Sequence, residues 1–505
     1  MSLSRSNLLF WLLGILMVLA PLYRSGALPA ALVVLELLAL AILVVFWWER
    51  FELGNLGRNQ VIALSALMVI PLFYLLPFPA FITEILPGRA DYLNALSLAT
   101  DDDGSGWQSM SLNGRETFSG WLMLLLPLAT FLAASSLDTS QLRKLLLLLF
   151  FIAGFEAVLG LIQFGVGEVG SPLYLGMTHT HFGSAVGTYA SRNNFVALMY
   201  LVLMISLALF IATLGRHRKR AGSQTLRQRL VYLSTMQGHK TFLLASFSLL
   251  ILLAAIFSRS RGGLGMTILG ILLISILLAK RIGGGNVYGL TGTIGVIVFG
   301  FAVSIGLAPV LDRFSSDDGP LATGRWTIFE GAKEGIVTFF PIGSGPGTFL
   351  DTFPRFQDIS QADFIINQAH NDYLEWLYDG GLIAGALIIA MLAIYFSRWV
   401  GVWKKGEWGE FRFIQVGAGI GMLLVLLHEF VDYNLMIPAN IIYFSFFAAV
   451  FFHKYEETSD PEHRVRKKDS PERRRQVVWP AVKPVESGSE VKPVVAEPVK
   501  NPFMD

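Results

Sequence analysis

The chain has 505 residues, of which 53% are hydrophobic and only 15% charged, and it carries a formal net charge of +2. That net charge says nothing about nucleic acid; where the charges lie is more informative. With no cysteine anywhere, disulfides, thiolate nucleophiles and Cys-ligated metals are excluded.

Apolar runs recur along the whole chain, at 8–22, 27–47, 61–76, 118–134, 145–162, 195–214, 242–257, 264–279, 290–307, 382–396, 414–427 and 437–452. A bilayer-spanning helix needs roughly 20 mostly apolar residues, and flanking residues extend the shorter runs to that length. The pattern predicts an all-α fold, a polytopic membrane bundle of about 12 transmembrane helices. The first run lacks a small-residue cleavage site and reads as a retained span rather than a removed signal peptide.

The charges orient this bundle. Arg50 and Arg58, Arg143 and Lys144, the basic stretch from Arg216 to Lys240, Lys280 and Arg281, and Arg398 to Arg412 all fall on one side when the spans alternate. Lys/Arg enrichment marks the cytoplasmic side, so both termini are expected there. The basic 216–240 stretch is expected to lie along anionic headgroups. Three longer external segments remain, at about 77–117, 165–194 and 309–381. The membrane domain is expected to occupy 1–453. After it the composition turns charged and Pro-rich, with the string VKPV at 482–485 and again at 491–494. Such a segment buries too little apolar surface to offset its ordering entropy, so 454–505 reads as a disordered cytoplasmic tail.

The segment from Pro341 to Gly385, PIGSGPGTFLDTFPRFQDISQADFIINQAHNDYLEWLYDGGLIAG, is polar and Gly-rich and returns to the bilayer at His370-Asn371. Its GSGPG string lacks the Lys-Ser/Thr of a phosphate loop and reads as a turn. Read as helical, His370, Tyr373 or Leu374, Leu377 and Gly381 share one face, with the imidazole at the external tip. An imidazole there either satisfies itself locally or takes a proton from a substrate near neutral pH. Arg259 and Arg261, in Ser258–Gly263, and Arg325 fall on the external side, where Lys/Arg are disfavoured. They either anchor headgroups or converge as a forked clamp on a diphosphate, with Gly262 and Gly263 letting the phosphate approach. Glu36 and Glu156 lie at lipid depth, where an ionisable group is either functional or paired, each of them with Gln163 or an arginine inside the bundle. His428, Glu429, Asp432 and Asn434 cluster at the outer end of the penultimate span, to brace the His370 helix or to bind an acceptor sugar.

Several strings together resemble one family. IFSRSRGG, GRWTIFEGAKEGIVTFFPIGSGPGTF and AHNDYLEWLYDGGLIAG, with GTYASRNNF at 187–195 and HEFVDYNLMIPAN at 428–440, are similar to the O-antigen ligase family of integral membrane glycosyltransferases. The resemblance covers most of the chain from about Pro71 to Phe452. It implies a GT-C-like helical enzyme of the bacterial inner membrane that works at the periplasmic face without metal or nucleotide cofactor. Its donor would be a glycan on undecaprenyl diphosphate. The acceptor would be a hydroxyl of lipid A–core, of a growing glycan, or of a protein. These acceptors correspond to ligase, polymerase and protein oligosaccharyltransferase activity, in lipopolysaccharide or exopolysaccharide assembly. The family's essential histidine falls on His370 and its two essential arginines on Arg261 and Arg325, with Arg259 beside them. Asn371, Tyr373, Asn194, His428 and Asp432 are carried as acceptor-binding or supporting residues. The chain departs from the family's closing Gly-x-x-Gly, since Gly381 is followed by Ala384 and then Gly385.

A secondary transporter or flippase, or a non-catalytic assembly protein, would suit a similar number of spans. A transporter places ionisable groups near the midplane on broken helices in two similar halves. Here the suspicious residues gather at one face and no internal repeat is visible, which favours a transferase.

Overall fold

The computed structural model describes residues 5–48, 56–100, 106–166, 183–218, 235–279, 319–403 and 408–454. The run at 290–307, His179, His181 and the tail beyond Lys454 lie outside the described residues. The elements used below are α1 (Arg5–Leu19), α2 (Pro29–Trp48), α3 (Arg58–Leu75), α4 (Gly114–Met123), α5 (Leu125–Ser136), α6 (Thr139–Val166), α7 (Arg192–Arg218) and α8 (Met236–Phe257). They continue with α9 (Arg261–Ala279), α10 (Gly319–Thr338), α11 (Asp372–Val402), α12 (Glu410–His428) and α13 (Pro438–Phe452).

Among the described residues, nine helical spans are long and apolar enough to cross a membrane, and α1 and α13 contribute shorter apolar helices. The protein is an all-α, multi-pass membrane bundle, and each apolar run that falls on described residues forms a helix. The run at 118–134 is divided at Leu124 between α4 and α5. At the centre stands α7, whose residues from Asn194 to Ala212 are all buried. It packs against α12, α8 and α9, so an apolar surface on every side of one helix is matched by three neighbours. On outer helices the apolar side chains face away, as with Leu37 and Val44 of α2 and Phe151 and Phe155 of α6, the arrangement lipid contact requires.

The segment before α11 is folded rather than a plain loop. α10 and the turns after it enclose a second, smaller core of Ile328, Ala332, Phe339, Phe349, Phe353, Phe356, Ala369 and Tyr378. Tyr378 is its hub, with ring centroids of Phe339, Phe349 and Phe356 at 5.5, 5.1 and 6.0 Å in edge-on geometry. A two-stranded antiparallel ribbon, β1 (Pro77–Pro79) with β2 (Trp107–Ser109), lies in the first external segment. Arg89, almost wholly buried, ties this region to the GSGPG turn by donating to Gly343 O at 3.0 Å and to Met110 O at 2.5 Å. Burial lowers its pKa to about 10, and the guanidinium remains cationic at neutral pH. The turn reading of GSGPG holds, since Gly343, Gly345 and Gly347 all take positive φ.

One feature of α11 is absent from the sequence reading. The helix is broken at Gly381, with φ 54° and ψ −141°. Leu382 N donates instead to Pro341 O at 2.9 Å, and a β-carbon on Gly381 would lie 2.1 Å from that oxygen. Only glycine tolerates both the torsion and the approach. Gly381→Ala is therefore expected to destabilise the purified protein by about 1–3 kcal/mol from torsion alone, read as a lowered thermal midpoint. An unchanged midpoint would mean that α11 can re-form as an unbroken helix.

Candidate active site

His370 does not begin the helix. Its φ of 52° is left-handed, an uncommon state for a residue with a β-carbon, and Asn371 caps the helix by accepting from Leu374 N at 3.1 Å. The expected face through His370, Tyr373, Leu377 and Gly381 is thus lost at both ends, because His370 precedes the cap and Gly381 interrupts the helix. This turn is fastened to the stretch after α12. Asn371 Nδ2 donates to Phe430 O at 2.9 Å, Asp372 N to Glu429 O at 3.1 Å, and Tyr373 OH to Leu426 O at 2.7 Å. Asn371 and Tyr373 thus tie this turn to Phe430 and Leu426. Glu429 accepts from Asn434 N at 2.8 Å, and burial pushes its carboxyl well above the ordinary range.

The fixed point of the site is Asp432, 1% exposed. Its Oδ1 is 3.9 Å from His370 Nδ1 and its Oδ2 is 3.9 Å from Arg325 Nη2. Asn193 Nδ2 donates to Oδ2, and Tyr433 N donates to Oδ1 at 3.1 Å. A buried carboxylate needs such partners, because an unpaired charge is costly to desolvate. Burial alone would raise its pKa, but the imidazoles of His370 and His428 and the Arg325 guanidinium together hold it below the usual carboxylate range. The edge of Tyr433 meets the imidazole at 4.9 Å between ring centres. With Nδ1 turned towards Asp432, Nε2 is the nitrogen left for an incoming proton. Arg325 comes from α10, and its Nη1 donates to Val431 O at 2.8 Å, so one edge of the fork is already anchored.

The other arginines flank a turn joined to the same carboxylate. Ser260 caps α9 by accepting from Gly263 N at 3.1 Å, and its hydroxyl donates to Asn193 Oδ1 at 2.7 Å. Ser260, Asn193 and Asp432 thus form a continuous chain, with Arg259 and Arg261 on either side of its first member. Arg259, itself left-handed at φ 57°, donates from Nη1 to Gly183 O at 3.2 Å. The glycines after Arg261 serve packing rather than phosphate approach. The space a β-carbon of Gly262 would fill is taken by His428 Nε2, and that of Gly263 by Val196. His428 is buried between this backbone and Tyr200, whose hydroxyl is 3.3 Å from Nδ1, and so offers nothing to a sugar.

One expectation near the site is corrected. Glu156 pairs with neither Gln163 nor an arginine; Thr188 donates to it through backbone and hydroxyl, both at 2.8 Å. Gln163 lies two turns further on and donates to Gly187 O at 2.8 Å, so both residues hold the approach to α7. Asn194 is buried, and its carbonyl accepts from Asn440 at 3.1 Å. Its neighbour Asn193, which the sequence reading passed over, is the residue that reaches Asp432.

The site therefore unites His370, Arg325, Asp432 and Asn193, with Ser260 linking them to the Arg259–Arg261 turn. Residues 246–389 match the sequence profile of the family described as O-antigen ligase. The matched segment supplies His370 and the three arginines, whereas Asn193 and Asp432 lie outside it. Among curated proteins no match to the chain was found. Over residues 246–389 this multi-pass helical protein is thus similar to the O-antigen ligase family.

Proposed function

We propose that the protein transfers a glycan from undecaprenyl diphosphate to an acceptor hydroxyl at the periplasmic face of the bacterial inner membrane. The observation that carries this reading is the approach of His370 and Arg325 to opposite oxygens of the buried Asp432. A base and a phosphate-binding cation are thereby held at a fixed separation. The acceptor oxygen attacks the anomeric carbon, its proton passes to His370 Nε2, and a new glycosidic C–O bond forms. The bond from that carbon to the diphosphate oxygen breaks, and its electron pair leaves with undecaprenyl diphosphate. Direct displacement inverts the anomeric centre. The leaving group is good already, so the chief task of Arg261 and Arg325, with Arg259 beside them, is to meet the charge growing on the phosphates. The acceptor is lipid A–core or another glycan.

Purified protein, given an undecaprenyl-diphosphate glycan and candidate acceptors, should yield an inverted glycoside and free undecaprenyl diphosphate. Absence of transfer to every hydroxyl acceptor, with donor shown to bind, would reject the reading.

Asp432 is assigned the orientation of the imidazole, as the carboxylate of a hydrolytic triad orients its histidine. Asp432→Asn is expected to lower turnover by about 10²–10⁴-fold, measured as product formed at saturating donor, with the variant still monodisperse in detergent. Asn193→Ala removes one hydrogen bond to the carboxylate and should have the smaller effect. The reverse order would shift the orienting role to Asn193.

A further inference from the structure

At the far end of α11 from His370 lies a recess of about 350 Å³ where α3 begins and α11 and α13 end. Arg58, Arg398 and Lys454 line it, Ser397 adds a hydroxyl, and Ile394 and Phe452 supply an apolar wall; among the described residues no carboxylate lines it. We propose that this recess holds the phosphate of an anionic phospholipid headgroup. The proposal does not depend on the transferase reading.

Three observations converge on an anion. Arg58 is the first residue of α3, at the positive end of the helix dipole, where a cation is disfavoured, and the first turn contains no acid to offset it. Among the described residues it forms no ion pair. Arg398 is held in place by donating from Nε to Phe451 O at 3.1 Å and from Nη2 to His453 O at 2.7 Å, which leaves Nη1 for a ligand. A guanidinium ordered in advance loses little freedom when it binds phosphate. Lys454 lines the same space, so three basic side chains border the recess.

A lipid suits the site better than a soluble phosphate. On the same stretch of α11 as Ser397 and Arg398, Phe396 and Val400 project outward as exposed apolar side chains, a surface for acyl chains. Trp47 and Trp48, both highly exposed, end α2 ten residues before Arg58. Indole rings of this kind collect at the level of the headgroups. In the expected topology this is the cytoplasmic leaflet, the side on which basic pockets between helices capture anionic headgroups.

The test uses the full chain in nanodiscs of equal phosphatidylglycerol and phosphatidylcholine, with retained lipids counted by native mass spectrometry. The wild-type protein should retain phosphatidylglycerol selectively. Arg58→Glu with Lys454→Glu should lower that retention several-fold, whereas Arg58→Lys should largely keep it. Basic residues elsewhere contribute a background, so the difference between variants is decisive. A second arm titrates inorganic phosphate against protein in phosphatidylcholine alone and follows the thermal midpoint. Equal phosphatidylglycerol retention by wild type and the double variant overturns the proposal. So does an Arg58-dependent stabilisation by inorganic phosphate without lipid selectivity, which would assign the site to a soluble anion. Arg58→Gln, which removes charge without reversing it, should fall between the extremes and guards against misfolding of the double variant.

Discussion

Replacing His370 by alanine is expected to lower glycan transfer by about 10²–10⁴-fold, the usual contribution of a general base. Donor binding and stability should remain near wild type. The imidazole is part-exposed, it faces Asp432 and the edge of Tyr433, and alanine leaves the ties from Asn371 to Phe430 and from Tyr373 to Leu426 untouched. His428→Ala should behave in the opposite way. That ring is buried between Tyr200 and the Gly262 backbone, so its loss opens a cavity and reduces stability before it reduces chemistry. Substitution of His179 or His181 should cost far less activity than His370→Ala. Wild-type turnover by His370→Ala on purified donor and acceptor would remove the base from the mechanism and leave electrostatic positioning alone.

The arginines are expected to come next. Arg261→Ala and Arg325→Ala should each cost about 10²–10³-fold in turnover, the scale of losing one donor to a developing oxyanion. Lysine should rescue poorly. At Arg325 both nitrogens of the fork have a role, since Nη1 donates to Val431 O and Nη2 lies near Asp432. An ammonium is a point charge and cannot both anchor and reach. At Arg261 the argument rests on the forked geometry of phosphate recognition. Near-normal turnover by lysine at both positions would show that charge neutralisation suffices.

Much of the bundle was legible in the sequence because apolar runs of span length have few other uses, and every run within the described residues became a helix. The site was legible in its residue types and less so in its connections. Asn193 and Asn194 are identical neighbours at the start of α7, and only the phase of that helix decides that the first reaches Asp432 while the second is buried. The break at Gly381 depends on the carbonyl of Pro341, far away in the chain, so no local pattern announces it. Glu156 drew attention as an acid at lipid depth, yet its partner Thr188 was invisible until the approach to α7 was folded against α6. His370 looked like a helical residue because Asn-Asp is a helix-start signal and the sequence alone does not reveal a left-handed residue just ahead of it.

Tyr378 belongs to α11, yet its ring is the keystone of the smaller aromatic core built by α10 and the turns that follow. A roof pinned in this way cannot lift from the bundle without drawing a residue of the span out of place.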